Sequence, residues 1–389
     1  MKKNLLWLSA LLAVAPLGAT SATADRPNIL LAIGDNWAWP HAGALGDPTA
    51  KTPVFDRIAR EGMLFNHAFC PVPSCSPTRS SMLTGRYAHQ LEDAASLWSA
   101  FPGKFRVFTH LLRAGGYVVC FTGKGWSPGN YLDHGWKENP VGKQFRSFEQ
   151  FMQERDKDRP FFFWFGNVDT ALHRWRKEAE TGTAPGADSV RVPPMLPNVP
   201  DVRKTIAAYY AGVQRMDSQI GTAIEALEKA GLLDSTMVVC TSDNGWQMPR
   251  GLANCYDTGC RVPLAIRWPG KVKPASRSED FVSLADLAPT FLEIAGLKPT
   301  PEMTAHSFLD LLLGKPGAGK RDHLFLERER HANVRRGDLS YPIRAIRTSE
   351  FLYLWNLRPD RWPAGDPKAY WAVGDYGDVD PSPAKQYIL

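Results

Sequence analysis

An α/β fold built on a large, mostly parallel sheet flanked by helices is predicted by three observations. Four short apolar runs are continuous rather than alternating, each run stops abruptly at polar residues, and helical periodicity occupies the chain between them. Continuous apolar runs are what strands covered on both faces look like, and in such sheets the residues that act on ligands gather at the carboxyl ends of the strands.

The elements follow in order. Lys2 and Lys3 precede an apolar run from Leu5 to Leu17, and Ala22-Thr23-Ala24 then offers a small-residue cleavage site before Asp25. Residues 1–24 therefore read as a secretory signal peptide, since the run falls short of the roughly 20 apolar residues of a spanning helix. The mature protein is expected to be exported, periplasmic or extracellular, without a stable membrane span. Asn28 to Ile33 is the first run and leads into Gly34-Asp35-Asn36. Tyr117 to Phe121 leads into Thr122-Gly123-Lys124, and Phe161 to Phe165 leads into Gly166-Asn167-Val168-Asp169. From Arg203 the apolar positions Ile206, Tyr210, Val213, Ile220, Ile224 and Leu227 keep helical spacing, and Gly231 supplies a stop. That helix feeds the fourth run, Met237 to Cys240, which leads into Thr241-Ser242-Asp243-Asn244-Gly245. The stretches 181–200 and 267–276 are rich in Pro and Gly and read as loops. Beyond about Lys320 the helical periodicity gives way to short apolar and aromatic pieces, Tyr341 to Ile346 and Phe351 to Trp355. They suggest a small, mostly antiparallel C-terminal subdomain over residues 321–389, cut short at Tyr387-Ile388-Leu389, where an unfinished strand is one explanation.

Composition narrows the function classes. The 389 residues carry 46 basic and 40 acidic side chains, interspersed, for a net charge of +6. That excess suits an anionic substrate but supplies no run of like charge for a nucleic-acid arm. In an exported chain the six cysteines are candidates for disulfides. Cys120 and Cys240 sit inside apolar runs and read as buried thiols, whereas Cys255 and Cys260 are close enough in sequence to pair. No CxxC or Cys/His zinc spacing is present.

Asp35-Asn36 and Asp243-Asn244 are two Asx pairs, each placed immediately after a buried strand. Singly, such residues merely begin turns; together they offer carboxylate and amide oxygens at neighbouring strand ends, the donor set preferred by Ca²⁺ or Mg²⁺. A third segment reads Cys75-Ser76-Pro77-Thr78-Arg79, continuing to Thr84-Gly85-Arg86. Ser76 is a good N-cap and Pro77 a good first helical residue, so Cys75 is expected at a helix N-terminus, where free N–H groups favour anions.

The pattern C-x-P-x-R followed by T-G resembles the signature of the formylglycine-dependent sulfatases, whose fold is alkaline phosphatase-like. The resemblance extends from Arg26-Pro27-Asn28 to the C-terminal segment. Pro73 to Arg79, Asp158 to Phe162, Val213 to Asp217 and Ser340 to Arg344 are most similar to the heparan N-sulfatase (N-sulfoglucosamine sulfohydrolase) branch. The resemblance implies a sulfatase catalytic domain over residues 25–320 that hydrolyses sulfate groups from a sulfated saccharide. It implies oxidation of Cys75 to formylglycine (3-oxoalanine) by a formylglycine-generating enzyme, with the hydrated aldehyde supplying the nucleophilic oxygen. It further implies Ca²⁺ held by Asp35, Asn36, Asp243, Asn244 and the modified Cys75, with Arg79 orienting the nucleophile, Lys124 contacting the sulfate and His173 assisting the leaving group. Glu327 to His331, Arg335-Arg336 and Arg344 form a basic and polar cluster suited to an anionic sugar, or else a solvated face. His331, Arg344 and Arg250 are the candidates for substrate binding.

Departures from the family pattern are local. Asn36 stands where most sulfatases have a second Asp, which removes one ligand charge. Trp126 stands where the common G-K-x-H has histidine. Leu252 occupies the place of a Lys or Arg usual downstream of S-D-N-G, with Arg250 the nearest substitute, and the spacing before His173 is longer than the usual D-P-H. These departures point to a narrowed or weak activity or to a degenerate sulfated-glycan-binding relative, and the resemblance to neighbouring bacterial sulfatases leaves an O-sulfatase acting on another sulfated polysaccharide as a further alternative to a sulfamidase. A serine esterase built on Gly125-Trp126-Ser127-Pro128-Gly129 is disfavoured, because Pro128 lacks the N–H that an oxyanion would need. A two-zinc phosphatase or phosphodiesterase is disfavoured by the scarcity of histidines near the Asx pairs.

Overall fold

A computed structural model describes residues 26–174, 184–368 and 374–389. The proposed signal peptide lies outside these residues. The main sheet has eight strands: β1 (Asn28–Gly34), β2 (Met63–Phe69), β3 (Val118–Gly123), β4 (Lys143–Phe145), β5 (Phe161–Asn167), β6 (Thr236–Ser242), β7 (Leu264–Arg267) and β8 (Ser276–Ser283). Their spatial order is β4-β3-β5-β1-β6-β7-β2-β8. Only β7 runs antiparallel to its neighbours, so the sheet is mixed but mostly parallel, as the apolar runs indicate.

The four runs legible in the sequence are the four adjacent strands β3, β5, β1 and β6 at the centre of this order. They are apolar throughout because alternate residues feed two different cores. Ile29, Leu31, Phe162, Trp164, Met237 and Val239 pack on one side with helices α2 (Cys75–Thr84) and α3 (Phe108–Ala114). Leu30, Ala32, Phe161, Phe163, Val238 and Cys240 pack on the other with α1 (Pro53–Glu61), α4 (Phe148–Glu154) and α5 (Pro200–Lys229). Helix α5 begins before the apolar periodicity does, because Pro200 sits in its first turn where no N–H is required. Strands β2 and β8 escape the sequence reading. Polar residues such as Asn66, His67 and Glu279 interrupt their apolar pattern, since parts of both strands are only half-covered.

A second, antiparallel sheet of β9 (His323–Arg328), β10 (Ile343–Thr348) and β11 (Leu352–Asn356) follows, in the order β11-β10-β9. The last residues are not a strand: Pro383–Ile388 is a short helix, capped by the Ser382 hydroxyl, and its Ala384 is buried in the α5-side core. All six cysteines are buried and stand as free thiols, with Cys120 and Cys240 in the core and Cys255 not bonded to Cys260. Among the described residues no helix is long and apolar enough to cross a membrane.

Candidate functional site

Because β3, β5, β1 and β6 are neighbours and parallel, the residues that follow them are carried to one end of the sheet. Lys124 follows β3, Val168 to His173 follow β5, Asp35-Asn36 follow β1 and Asp243-Asn244 follow β6. The backbone knits the two Asx pairs together. Asp243 donates its N–H to the Gly34 carbonyl (3.0 Å), and Asn36 donates its N–H to Oδ1 of Asp243 (3.1 Å). Asn36 is left-handed, with φ of 74°, a conformation asparagine tolerates better than most residues. Glycine is required where Lys124 leaves the sheet. Gly123 has φ of 67°, and a Cβ there would fall 2.0 Å from the Gly166 carbonyl oxygen.

Helix α2 supplies Cys75 and Arg79 from the same core that covers β1. It begins at Cys75 itself, two residues earlier than the sequence suggests, so the N-cap is Ser74 rather than Ser76. Ser74 does not cap with its side chain; its hydroxyl lies 2.8 Å from Nδ1 of His331. Cys75 is thus the first helical residue, with the free N–H groups and dipole of the helix end beside it.

The charged groups interlock. Lys124 Nζ is 2.6 Å from Oδ1 of Asp35. Arg79 directs Nε and one terminal nitrogen to Oδ2 of Asp243, each at 2.9 Å, and donates from the other terminal nitrogen to the carbonyls of Lys124 and Gly125, each at 2.7 Å. The Cys75 sulfur is 3.4 Å from Oδ1 of Asp35 and 3.8 Å from Oδ1 of Asn36. Asp35, Cys75 and Asp243 offer ligand atoms all within 4.8 Å of one another.

Electrostatics follow from that crowding. Burial pushes the Asp35 carboxyl up, but Lys124 and then Arg79 outweigh it and hold Asp35 below its ordinary value. At Asp243 burial, reinforced by the Asp35 charge, prevails over Arg79 and Lys124, and the carboxyl is raised. Burial would lower Lys124, yet Asp35 holds it well above the usual lysine range, so it is a fixed cation. Burial and then Asp35 push the Cys75 thiol far up, which makes an unmodified Cys75 a poor nucleophile.

A divalent cation fits these residues. Asn244 Oδ1 is buried with no hydrogen-bond partner, although its Nδ2 bonds to Asn36 Oδ1 at 2.6 Å. An orphaned oxygen beside two buried carboxylates and a second amide oxygen is the donor set of a hard cation.

A cavity of about 620 Å³ opens over the site, lined by Asp35, Asn36, Cys75, Lys124, His173 and His331, with Leu252 on its wall. His173 is solvent-facing there, after β5. The structure does not bring Arg250 and Arg344 to this cavity. Arg250 is exposed and lies over the Tyr256 ring, 5.6 Å from its centroid. Arg344 pairs with Glu329 and, at 3.8 Å, with Glu327, facing a separate groove lined by Tyr87, His89 and Phe325. Trp126 does not stand in for a site histidine: it is fully buried, packs on Phe101 and donates from Nε1 to the Ser80 hydroxyl at 2.8 Å. Ser127 lies in irregular chain after β3, with no helix behind it to form a nucleophile elbow.

Two residues that the sequence reading missed join the site. Gln247 accepts the Asn36 amide (2.9 Å) and the Leu172 N–H (2.6 Å) on Oε1 and donates to Asp380 at 2.6 Å. It therefore fixes the rotation of Asn36. Asp380 reaches the cavity wall from a C-terminal segment whose Asp378 is buried between Arg335 (2.7 Å) and Arg328 (3.5 Å). The only sequence signal for either was closeness to Asn244 for Gln247; nothing in the sequence singles out Asp380.

The family model described as Sulfatase matches residues 27–134 and 134–297. A second, described as N-sulphoglucosamine sulphohydrolase, C-terminal, matches residues 250–364. Human N-sulphoglucosamine sulphohydrolase is 31% identical over 386 residues, covering 85% of this chain and 74% of its own length. An ulvan-active sulfatase of Formosa agariphila is 26% identical over 387 residues, covering 87% of this chain; the chain spans 62% of that relative's length. A structure solved in complex with its substrate D-glucosamine-2-N,6-O-disulfate has a TM-score of 0.61 at 19% identity, covering 86% of this chain and 92% of that one, a likeness of fold.

Proposed function

The chain belongs to the sulfatase family, and from that premise we propose that it hydrolyses sulfate from a sulfated saccharide, with an N-sulfated glucosamine as substrate. One observation carries this reading: Cys75 opens a helix beside Asp35, Asp243, Arg79 and Lys124, beneath a single cavity that Asp35, Asn36, Cys75 and Lys124 line.

Asp35, Asn36, Asp243, Asn244 and the modified Cys75 would hold Ca²⁺, which when bound supplies charge neutralisation to a sulfate oxygen. Formylglycine at Cys75 would supply a hydrated aldehyde as the nucleophilic oxygen. The remaining work falls to other side chains. Lys124, pinned by Asp35, presents a permanent cation to the sulfate without reorganising. Arg79 commits Nε to Asp243 and one terminal nitrogen to two carbonyls, which holds the carboxylate in position, while its other terminal nitrogen makes no hydrogen bond and is left to orient the nucleophile at Cys75. His173, on the solvent side, is placed to deliver a proton to the leaving nitrogen or oxygen. His331, held by Ser74 and kept neutral-leaning by burial, and Asp380 offer hydrogen bonds to sugar groups. Arg250 and Arg344 have no part in this reading.

A second reading, an O-sulfatase on another polysaccharide, is favoured by Leu252, which puts an apolar side chain on the cavity wall where the family has a cation. The deciding experiment is co-expression of the exported chain with a formylglycine-generating enzyme. Inorganic sulfate release is then measured with Ca²⁺ from glucosamine carrying either an N-sulfate or a 6-O-sulfate, with Cys75→Ala as control. Release from the N-sulfated sugar alone supports the sulfamidase. Release only from the O-sulfated sugar overturns the sulfamidase and keeps the mechanism, and no release from either, with Cys75 shown by mass to be converted, removes glucosamine sulfates as substrate and points to another polysaccharide or to a degenerate sulfated-glycan-binding relative.

A further inference from the structure

Three of the six cysteines play no part in the site just described, yet gather beside it. Cys70, Cys255 and Cys260 are all fully buried in the same core. Cys70 closes the end of β2, directly before the loop that delivers Cys75. Cys260 ends the short helix Asp257–Cys260 in the segment that follows β6. These two segments run antiparallel: Phe69 and Arg261 form a bridge, Cys70 donates its N–H to the Cys260 carbonyl at 2.8 Å, and Val262 donates to the Ala68 carbonyl at 3.0 Å. One step along from the Phe69 and Arg261 pair, Cys70 and Cys260 face each other across that single bond, since the Cys260 N–H turns back into its own helix to the Tyr256 carbonyl at 2.9 Å. Residues joined in this way across antiparallel segments have Cα atoms about 5.5 Å apart, inside the roughly 4.4–6.8 Å range of disulfides. The Cys260 thiol is also within hydrogen-bonding reach of both the Cys70 and Cys255 thiols.

We propose that Cys70 and Cys260 form a disulfide when the chain folds in an oxidising compartment, tying the loop before the nucleophile to the segment after Asp243-Asn244. The step is thiol–disulfide exchange with an oxidised dithiol oxidoreductase or oxidised glutathione. The two cysteine thiols give up two protons and two electrons and form one S–S bond, and the oxidant's disulfide takes up both to become two thiols. The cross-strand register selects Cys70 over Cys255, which is separated from Cys260 by little more than one helical turn. The same two segments are already joined by the Ala253 N–H to the Pro73 carbonyl at 2.8 Å, so the bridge would reinforce an existing seam. It would also consume the cysteine nearest Cys75 in sequence, leaving Cys75 without a local partner for mispairing and open to modification.

The test is made on the full chain secreted into a bacterial periplasm, trapped with acid, alkylated under denaturing, non-reducing conditions and mapped by mass spectrometry. The expected result is a linked pair of peptides containing Cys70 and Cys260 that separates on reduction, with the alkyl label on Cys255. Label on both Cys70 and Cys260, or a link joining Cys255 to Cys260, overturns the proposal. In thermal scans, reduction with a phosphine is expected to lower the wild-type midpoint by about 5–10 °C and to leave Cys70→Ala unmoved. If that variant does not fold, the peptide map decides alone.

Discussion

Replacing Arg79 with lysine keeps the charge and removes the fork, which separates what each contributes. In the native site Nε and one terminal nitrogen lie 2.9 Å from Oδ2 of Asp243, and the other terminal nitrogen gives 2.7 Å bonds to the Lys124 and Gly125 carbonyls. A lysine ammonium is a single point on a flexible stem and cannot serve a carboxylate on one side and two carbonyls on another. If it stays with Asp243, the Gly125 carbonyl loses its donor, at about 1–3 kcal/mol for a buried acceptor. The Lys124 carbonyl still receives the Trp164 indole N–H at 3.1 Å, so its loss is smaller, about 1 kcal/mol. The guanidinium also lies 5.6 Å from the Trp164 ring centroid, a contact worth about 1 kcal/mol. Arg79→Lys is therefore expected to cost about 4 kcal/mol. The assay is urea unfolding followed by tryptophan fluorescence, read as a lower midpoint at unchanged slope. A cost below about 1 kcal/mol at the same slope would refute the reasoning, because it would mean that charge alone holds Asp243 and that the carbonyl bonds contribute nothing.

Other perturbations separate the site from its surroundings. Lys124→Met is expected to lower kcat for sulfate release by about 10²–10³, the usual loss when a fixed charge facing the transition state is removed, and retention of full activity would exclude Lys124 from the chemistry. Arg250→Ala and Arg344→Ala are expected to change kcat/KM by less than about threefold, since neither lines the cavity; a larger loss in either would place a sugar subsite where the structure has none. His41 is buried against Tyr209, with Nδ1 3.0 Å from the phenol oxygen, and burial lowers its pKa to about 4 from an ordinary 6.5 despite Asp47 nearby. A histidine lowered in the folded state contributes stability that is complete above pH 6.5 and fades as pH falls toward 4. Between pH 7 and 4 the wild type should lose about 3 kcal/mol more than His41→Gln, measured as unfolding free energy at each pH, and parallel curves for the two proteins would discard the assignment.

The sequence by itself determined the centre of the fold and the chemistry carried on it. A strand covered by two cores must be apolar at every position, so β1, β3, β5 and β6 are written as unbroken runs, and the polar residues that end them mark the active end of the sheet. Cys75, Arg79 and the Asx pairs were legible because their residue types and spacing are demanded by chemistry at short range in the chain. The half-covered strands β2 and β8 were not, since interrupted apolar patterns are shared with loops. Tertiary structure alone decided which basic residues face the cavity. His331 enters it because Ser74 and the segment around Asp378 hold it there, while Arg344 turns to Glu327 and Glu329 and Arg250 to Tyr256. It also decided that Trp126 is core, that Gln247 sets the rotation of Asn36, and that Cys70 opposes Cys260 across 190 residues of chain. Each of these depends on where a distant segment packs, and a side chain's charge or type carries no record of that distance.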